Sequence, residues 1–174
     1  MEFNSNITIK EVKDSDELLE FVMFPHDLYK DSKYWVAPIT NEELEVLDKK
    51  INPVFKNALA HYFLAYINGK IVGRVAALIN WVEVNDLKKK KVRFGWFDFI
   101  DNIEVSKALL EKVREIGIKN NLEFIEGPVG FSNMDKAGML IKGFEKKNTM
   151  ITLYNHPYYK DHMIKHGYNK LAEW

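Results

Sequence analysis

Residues 61–81 limit the possible folds more than any other stretch. His61 to Ile67 and Lys70 to Trp81 are two aromatic and apolar runs, and Asn68-Gly69 stands between them. Two strand-like runs joined by an Asn-Gly pair read as a β-hairpin, because the tight type I′ turn needs positive φ at both central residues. The frame of the molecule is therefore an antiparallel sheet.

The flanking segments add to this frame. Asn6 to Val12 alternates polar and apolar residues and reads as a short edge strand. Asp14-Ser15-Asp16 caps a helix over Ser15 to Phe24, which Pro25 ends or bends. Asn41 to Lys50 reads as a second helix, and Pro53 to Leu59 as a connector. Val92 to Ile100 is a third strand of the central group, rich in Phe and Trp. Asp101 or Asn102 then caps a helix whose buried stripe is Val105, Leu109, Val113 and Ile116. Gly117 and Asn120-Asn121 mark its end, and Glu123 to Glu126 starts another strand. A strand–helix–strand crossover of this kind makes a parallel pair. Gly127 to Gly143 is irregular and holds four of the nine glycines. A strand over Thr149 to Tyr154, a helix from His156-Pro157 to about His166, and a last strand after Gly167-Tyr168 complete the order β α α β β β α β β α β. No repeat or low-complexity segment interrupts it, so one domain over residues 1–174 is expected.

Composition removes several function classes. Lys and Arg total 25, and Asp and Glu total 25. A net charge of zero argues against a general binder of nucleic acid or of anionic membranes. There is no cysteine, which excludes disulfides, thiolate nucleophiles and Cys-ligated zinc or iron–sulfur clusters. The start of the chain is polar, with no leader-like run, and no stretch approaches the roughly 20 apolar residues of a membrane span. The expected location is the cytoplasm. No Walker loop, dinucleotide fingerprint, serine elbow or zinc-protease motif is present.

Several residues are candidates for chemistry. The long Gly127–Gly143 loop follows a strand directly, and such loops are often functional or else irregular surface. Ser132 and Asn133 in it, with Trp96 of the aromatic strand, are the expected substrate contacts. Glu126, at the end of a strand, and Asp98, among aromatics, could each act as a base; the commoner fate of such a strand carboxylate is to point outward. Arg74, in an apolar strand, either pairs with one of these acids or holds an anion. His156, beside Pro157 and two tyrosines, suits polar work near neutral pH, or a helix-start contact. His162 and His166 have the i, i+4 spacing of a metal pair but no evident third ligand, so they read as a solvated helix face and no metal is expected.

Specific segments carry a resemblance. Phe21-Val22-Met23-Phe24-Pro25, Leu28-Tyr29-Lys30, Tyr34-Trp35-Val36-Ala37-Pro38, Val72-Gly73-Arg74-Val75-Ala76-Ala77, Gly127-Pro128 and Tyr154-Asn155-His156-Pro157-Tyr158-Tyr159 resemble a group of bacterial GNAT-like proteins. GNAT denotes the Gcn5-related N-acetyltransferases. Members of that group are often about twice this length, and this chain would correspond to their N-terminal half. The resemblance covers essentially the whole chain. It implies an α/β (α+β) fold with a mixed central sheet of about six or seven strands, mostly antiparallel with one parallel crossover pair, and helices on both faces. It also implies acetyl-CoA or another acyl-CoA as co-substrate and direct attack by an amine, from a small molecule or a peptide. A second GNAT-like domain or a homodimer is a possible partner.

The implied cofactor site lies between the central strand and the crossover helix, at Phe99, Ile100, Asn102, Ile103, Val105 and Ser106. The family's glycine-rich, basic pyrophosphate loop is missing there. Asp101 and Glu104 instead have capping-box spacing. Two carboxylates at that helix start would repel a pyrophosphate, at roughly 4 kcal/mol for one close like-charge pair at an effective dielectric of about 20. The family's acid tyrosine, four residues before the closing glycine, falls here on Met163. Tyr158 and Tyr159, about one turn earlier, are the substitutes, or else an aromatic wedge over the sheet. Two readings follow: an acyl-CoA N-acyltransferase, or a non-catalytic GNAT-like module that binds another ligand or partner.

Overall fold

The computed structural model describes residues 6–132, 134–149 and 153–173. Five strands form one sheet in sequence order: β1 (Ile7–Glu11), β2 (Ala58–Ile67), β3 (Lys70–Asn80), β4 (Lys91–Phe99) and β5 (Phe124–Glu126). The first four pair antiparallel, and β4 and β5 pair parallel. The hairpin turns at Asn68 and Gly69, both at positive φ, as the Asn-Gly signal requires.

Helices cover both faces. On one lie α1 (Ser15–Leu28) and α2 (Thr40–Leu47), over a core that includes Tyr62, Leu64, Ala76 and Leu78. On the other lie α4 (Ile103–Lys119) and α5 (Tyr158–Lys165), over Val75, Ala77, Phe94, Phe97 and Phe99. A short α3 (Trp81–Asn85) joins β3 to β4. Period-two alternation along the central strands sends side chains to each layer in turn. Among the described residues no helix is long and apolar enough to cross a membrane.

Three expectations change. First, α1 runs through Pro25 to Leu28 instead of stopping before it. Proline removes the N–H that would bond the carbonyl four residues back. That carbonyl, of Phe21, is satisfied instead by Arg74 Nη1 at 2.8 Å. Second, of the two cap candidates Asn102 caps α4, its side chain accepting the Glu104 N–H at 3.0 Å in place of the Asp101–Glu104 capping box. Third, five strands rather than six or seven are present among the described residues. The expected strand at Thr149–Tyr154 falls partly outside those residues, and the segment after Gly167 is not a strand.

Two irregularities in β4 shape the end of the sheet. Arg74 faces Asp98 while Ala76 faces Gly95, so Trp96 and Phe97 together oppose Val75. This is a β-bulge, and Trp96 takes a left-handed φ of 44°, a strained conformation for so bulky a residue. On its other side β4 keeps β5 only from Lys91 to Arg93. Beyond that, Val129 N–H donates to Phe94 O at 2.8 Å. Pairing along this edge of β4 therefore stops short of Phe99, which lies beside the start of α4.

Candidate functional site

The end of pairing along the β5 edge of β4 leaves the backbone of Phe99 to be satisfied by something other than a strand. Two tyrosines of α5 do this. Tyr159 OH accepts the Phe99 N–H at 3.1 Å, and Tyr158 OH donates to Phe99 O at 2.5 Å. The Tyr159 ring stacks on the Phe99 ring with centroids 4.2 Å apart.

A line of buried hydroxyls continues from there. Tyr159 OH lies 2.9 Å from Tyr29 OH, and Tyr29 OH donates to Asp98 Oδ1 at 2.8 Å. Tyr29 has one hydroxyl hydrogen, so Tyr159 donates to it. The hydrogen bonds then run one way: Phe99 N–H to Tyr159, Tyr159 to Tyr29, Tyr29 to Asp98. At the far end, Arg74 Nε and Nη2 reach Asp98 Oδ2 at 2.8 and 2.7 Å. Burial above all, then the Asp98 charge, pushes the Tyr29 and Tyr159 hydroxyls well above their usual pKa. Tyr158 is raised by burial and then by Asp101 and Asp98. All three stay protonated near neutral pH and act as donors.

The start of α4 is equally committed. Ser106 Oγ is bonded to His162 Nδ1 and to His166 Nε2, each at 2.8 Å, and to Ile103 O at 3.0 Å. Asp101 accepts from His162 Nε2 at 3.0 Å. A serine, a histidine and an aspartate in a row invite comparison with a nucleophilic triad. Ser106 is fully buried and its hydroxyl is held by both histidines, so no substrate carbonyl reaches it.

The sequence-named residues fall into two groups. Phe99, Tyr158, Tyr159 and His156 meet at the strand end, with Ile100, Asn102, Ile103 and Ser106 adjoining. His156 is sandwiched between Tyr29 and Tyr158, at ring separations of 5.0 and 5.3 Å. Val105 lies in the core under α4. The remaining candidates are elsewhere. Glu126 is spent on Lys91 at 2.5 Å and approaches Arg93 at 3.5 Å. Ser132 closes its own turn, its N–H donating to Asp135 and its Oγ accepting from Met134 N–H. Asn133 lies outside the described residues. Trp96 faces the α1–α2 layer, where its Nε1–H donates to Glu43 at 2.7 Å. Burial alone would raise the Glu43 carboxyl, but Lys136 and this indole N–H hold it below its usual value. Asp98 points inward and is paired, and His162 is buried rather than solvated.

Sequence reasoning assigned no role to Tyr29, although Leu28-Tyr29-Lys30 stood out as a segment. Beside the site, an open cavity of about 460 Å³ is walled by Tyr34, Tyr154 and His156, with Asp31 and Lys33 among its lining.

The fold is shared with known structures. A protein described as a predicted acetyltransferase from Clostridium acetobutylicum, solved with acetyl-CoA, superposes with a TM-score of 0.60 at 12% identity, covering 97% of this chain and 94% of its own. An aminoglycoside acetyltransferase from an uncultured soil metagenomic sample, solved with sisomicin, gives 0.53 at 12% identity, with 97% and 90% covered. A tandem GNAT protein from the clavulanic acid biosynthesis pathway also gives 0.53 at 12% identity, and the match covers 67% of this chain and 34% of that one. The chain has the GNAT fold.

No family model matches this GNAT-fold chain. Two curated relatives do. Protein YghO of Escherichia coli is 30% identical over 163 residues, which cover 91% of this chain and 42% of that protein. Bacterial ceramide synthase of Caulobacter vibrioides is 25% identical over 171 residues, covering 98% and 44%. The chain spans less than half the length of both. In the GNAT arrangement the parted strand and the crossover-helix start receive the acyl-CoA. Here Phe99 N–H, Phe99 O and Ser106 Oγ are already bonded within the chain, and Asp101 adds a carboxylate. These residues do not fit an acyl-CoA in their present arrangement.

Proposed function

We propose that this chain is a GNAT-fold unit of an acyl-CoA-dependent N-acyltransferase, and that within it this unit is a binding module that does not itself hold the thioester. One observation carries the reading: the two backbone groups of Phe99 that a thioester arm would use are taken by Tyr159 and Tyr158. A ligand there would have to replace two bonds in a dry site, and each buried group left unpaired costs about 1–3 kcal/mol.

The activity proposed for the whole protein rests on its likeness to others. The fold neighbours include acetyltransferases, one solved with acetyl-CoA. A relative that this chain matches almost end to end is named a ceramide synthase, and ceramides contain an acyl group joined to an amine. An acyl-CoA donor and an amine acceptor are therefore the proposed substrates. The cavity beside Tyr34, Tyr154 and His156 is the proposed acceptor site, with the Asp31 carboxylate to attract an ammonium group and the Lys33 ammonium, now over the Tyr34 ring, to be displaced.

A second reading keeps catalysis in this unit. It is favoured by the hydroxyl line itself, because Tyr159 is a protonated donor at the place where a leaving thiolate would form. Calorimetric titration of the chain with acetyl-CoA separates the two. The module reading expects no heat and no change in melting temperature at millimolar ligand. Saturable binding that is weakened in Tyr159→Phe would support the catalytic reading instead.

A further inference from the structure

Two histidines at the end of α5 converge on one hydroxyl at the start of α4. His162 Nδ1 and His166 Nε2 share Ser106 Oγ, and His162 Nε2 also holds Asp101. The hydrogens can be counted. With both rings neutral, Ser106 O–H donates to His162 Nδ1, His162 Nε2–H donates to Asp101, and His166 Nε2–H donates to Ser106 Oγ. Every group is satisfied without a charge on either ring.

One proton can be taken up without loss of a bond. If His162 becomes an imidazolium, Ser106 turns its hydrogen to Ile103 O, 3.0 Å away, and accepts from both rings. A second proton, on His166 Nδ1, breaks no bond either, and its cost is charge repulsion. Two imidazoliums would then share one oxygen with ring centroids 6.3 Å apart. They would also face the positive end of the α4 dipole, while the negative end of their own α5 favours the charge. Around His166, Glu104 favours protonation and Lys107 opposes it, while the His162 ring faces Asp101 and, at 5.4 Å, Tyr158, which stays neutral. Burial, then His162 and Lys107, lowers the His166 pKa, in keeping with this repulsion.

We propose that Asp101, Ser106, His162 and His166 form an acid-released latch that holds α5 against the start of α4, and that its opening uncovers the backbone of Phe99. The inference rests on the reading that α5 fills the slot at the end of β4. Local release is feasible because α5 is an eight-residue helix with three buried side chains, Tyr159, His162 and Met163. Such a unit can open at less cost than the whole fold.

Amide hydrogen exchange of the intact chain, corrected for intrinsic rate, tests this between about pH 7.5 and about pH 5.5, where histidines change charge. The latch predicts a several-fold loss of protection at Phe99 and Met163 on acidification, with β2 and β3 amides unchanged. A His166→Asn variant keeps an N–H donor for Ser106 and should abolish the pH effect while retaining protection at the higher pH. The latch is overturned by constant protection in the native chain, by an equal loss throughout β2 and β3, or by an unchanged pH effect in the variant. The reading of the filled slot is judged separately, by the acetyl-CoA titration at neutral pH.

Discussion

Replacing Asp98 by Asn leaves the Arg74 guanidinium buried, with the Phe21 and Val22 carbonyls as its other acceptors. Removing one partner of a buried ion pair costs about 3–5 kcal/mol, so urea unfolding of Asp98→Asn should show a loss of that order. Replacing both Asp98 and Arg74 by leucine removes the buried charges but strands the Phe21 carbonyl and the Tyr29 hydroxyl, so it should recover only part of the loss; a double variant less stable than the single one would contradict this. Tyr159→Phe strands the Phe99 N–H and should cost about 1–3 kcal/mol by the same measurement. His166 adds a pH dependence. Its lowered folded pKa means that the unfolded chain binds the proton more readily. Its share of stability is therefore complete above the unfolded value of about 6.5 and is lost as pH falls through the folded value. The urea midpoint should decline on acidification through this window, and less so in His166→Asn. The pairing of Arg74 with an acid was legible, since a charge in an apolar strand needs a partner. The role of Tyr29 was not, because its partners Asp98 and Tyr159 lie 69 and 130 positions away in the chain.

Gly73 shows how α4 is seated on the sheet. A Cβ there would stand 2.8 Å from Leu109 Cδ1 and 3.1 Å from Val105 Cγ1, both on the buried stripe of α4. From the helix side, a Cβ on Gly117 would stand 2.9 Å from Val92 Cγ1. The helix lies close because each surface yields a glycine where the other needs room. Gly73→Ala should push α4 outward and cost about 1–3 kcal/mol of overpacking, read from urea unfolding. Unchanged stability would mean that α4 shifts freely. At this scale the sequence was most readable where its pattern is local. The hairpin followed from Asn68-Gly69, and the stripe Val105, Leu109, Val113 and Ile116 is buried as its spacing requires. It was least readable where a distant group overrides the local rule. Pro25 does not end α1, because Arg74 from β3 takes the freed carbonyl. Asp101 leaves the cap of α4 to Asn102, because His162 from α5 engages it.

The molecule as a whole keeps the GNAT layout but fills the open edge at the end of β4 with its own α5. The curated relatives it matches are more than twice its length, and the function proposed above assigns the thioester to another unit of such a protein. The missing glycine loop was visible in the sequence, whereas the tyrosines at Phe99 emerged only with the fold. Their place depends on how α5 crosses the end of β4. Amide-resolved NMR of the isolated chain during addition of acetyl-CoA tests this most directly, with attention to Phe99 and to residues 102–106. With Phe99 held by Tyr158 and Tyr159, these signals should stay where they are at millimolar ligand. Saturable shifts at Phe99 and at the start of α4 would contradict it.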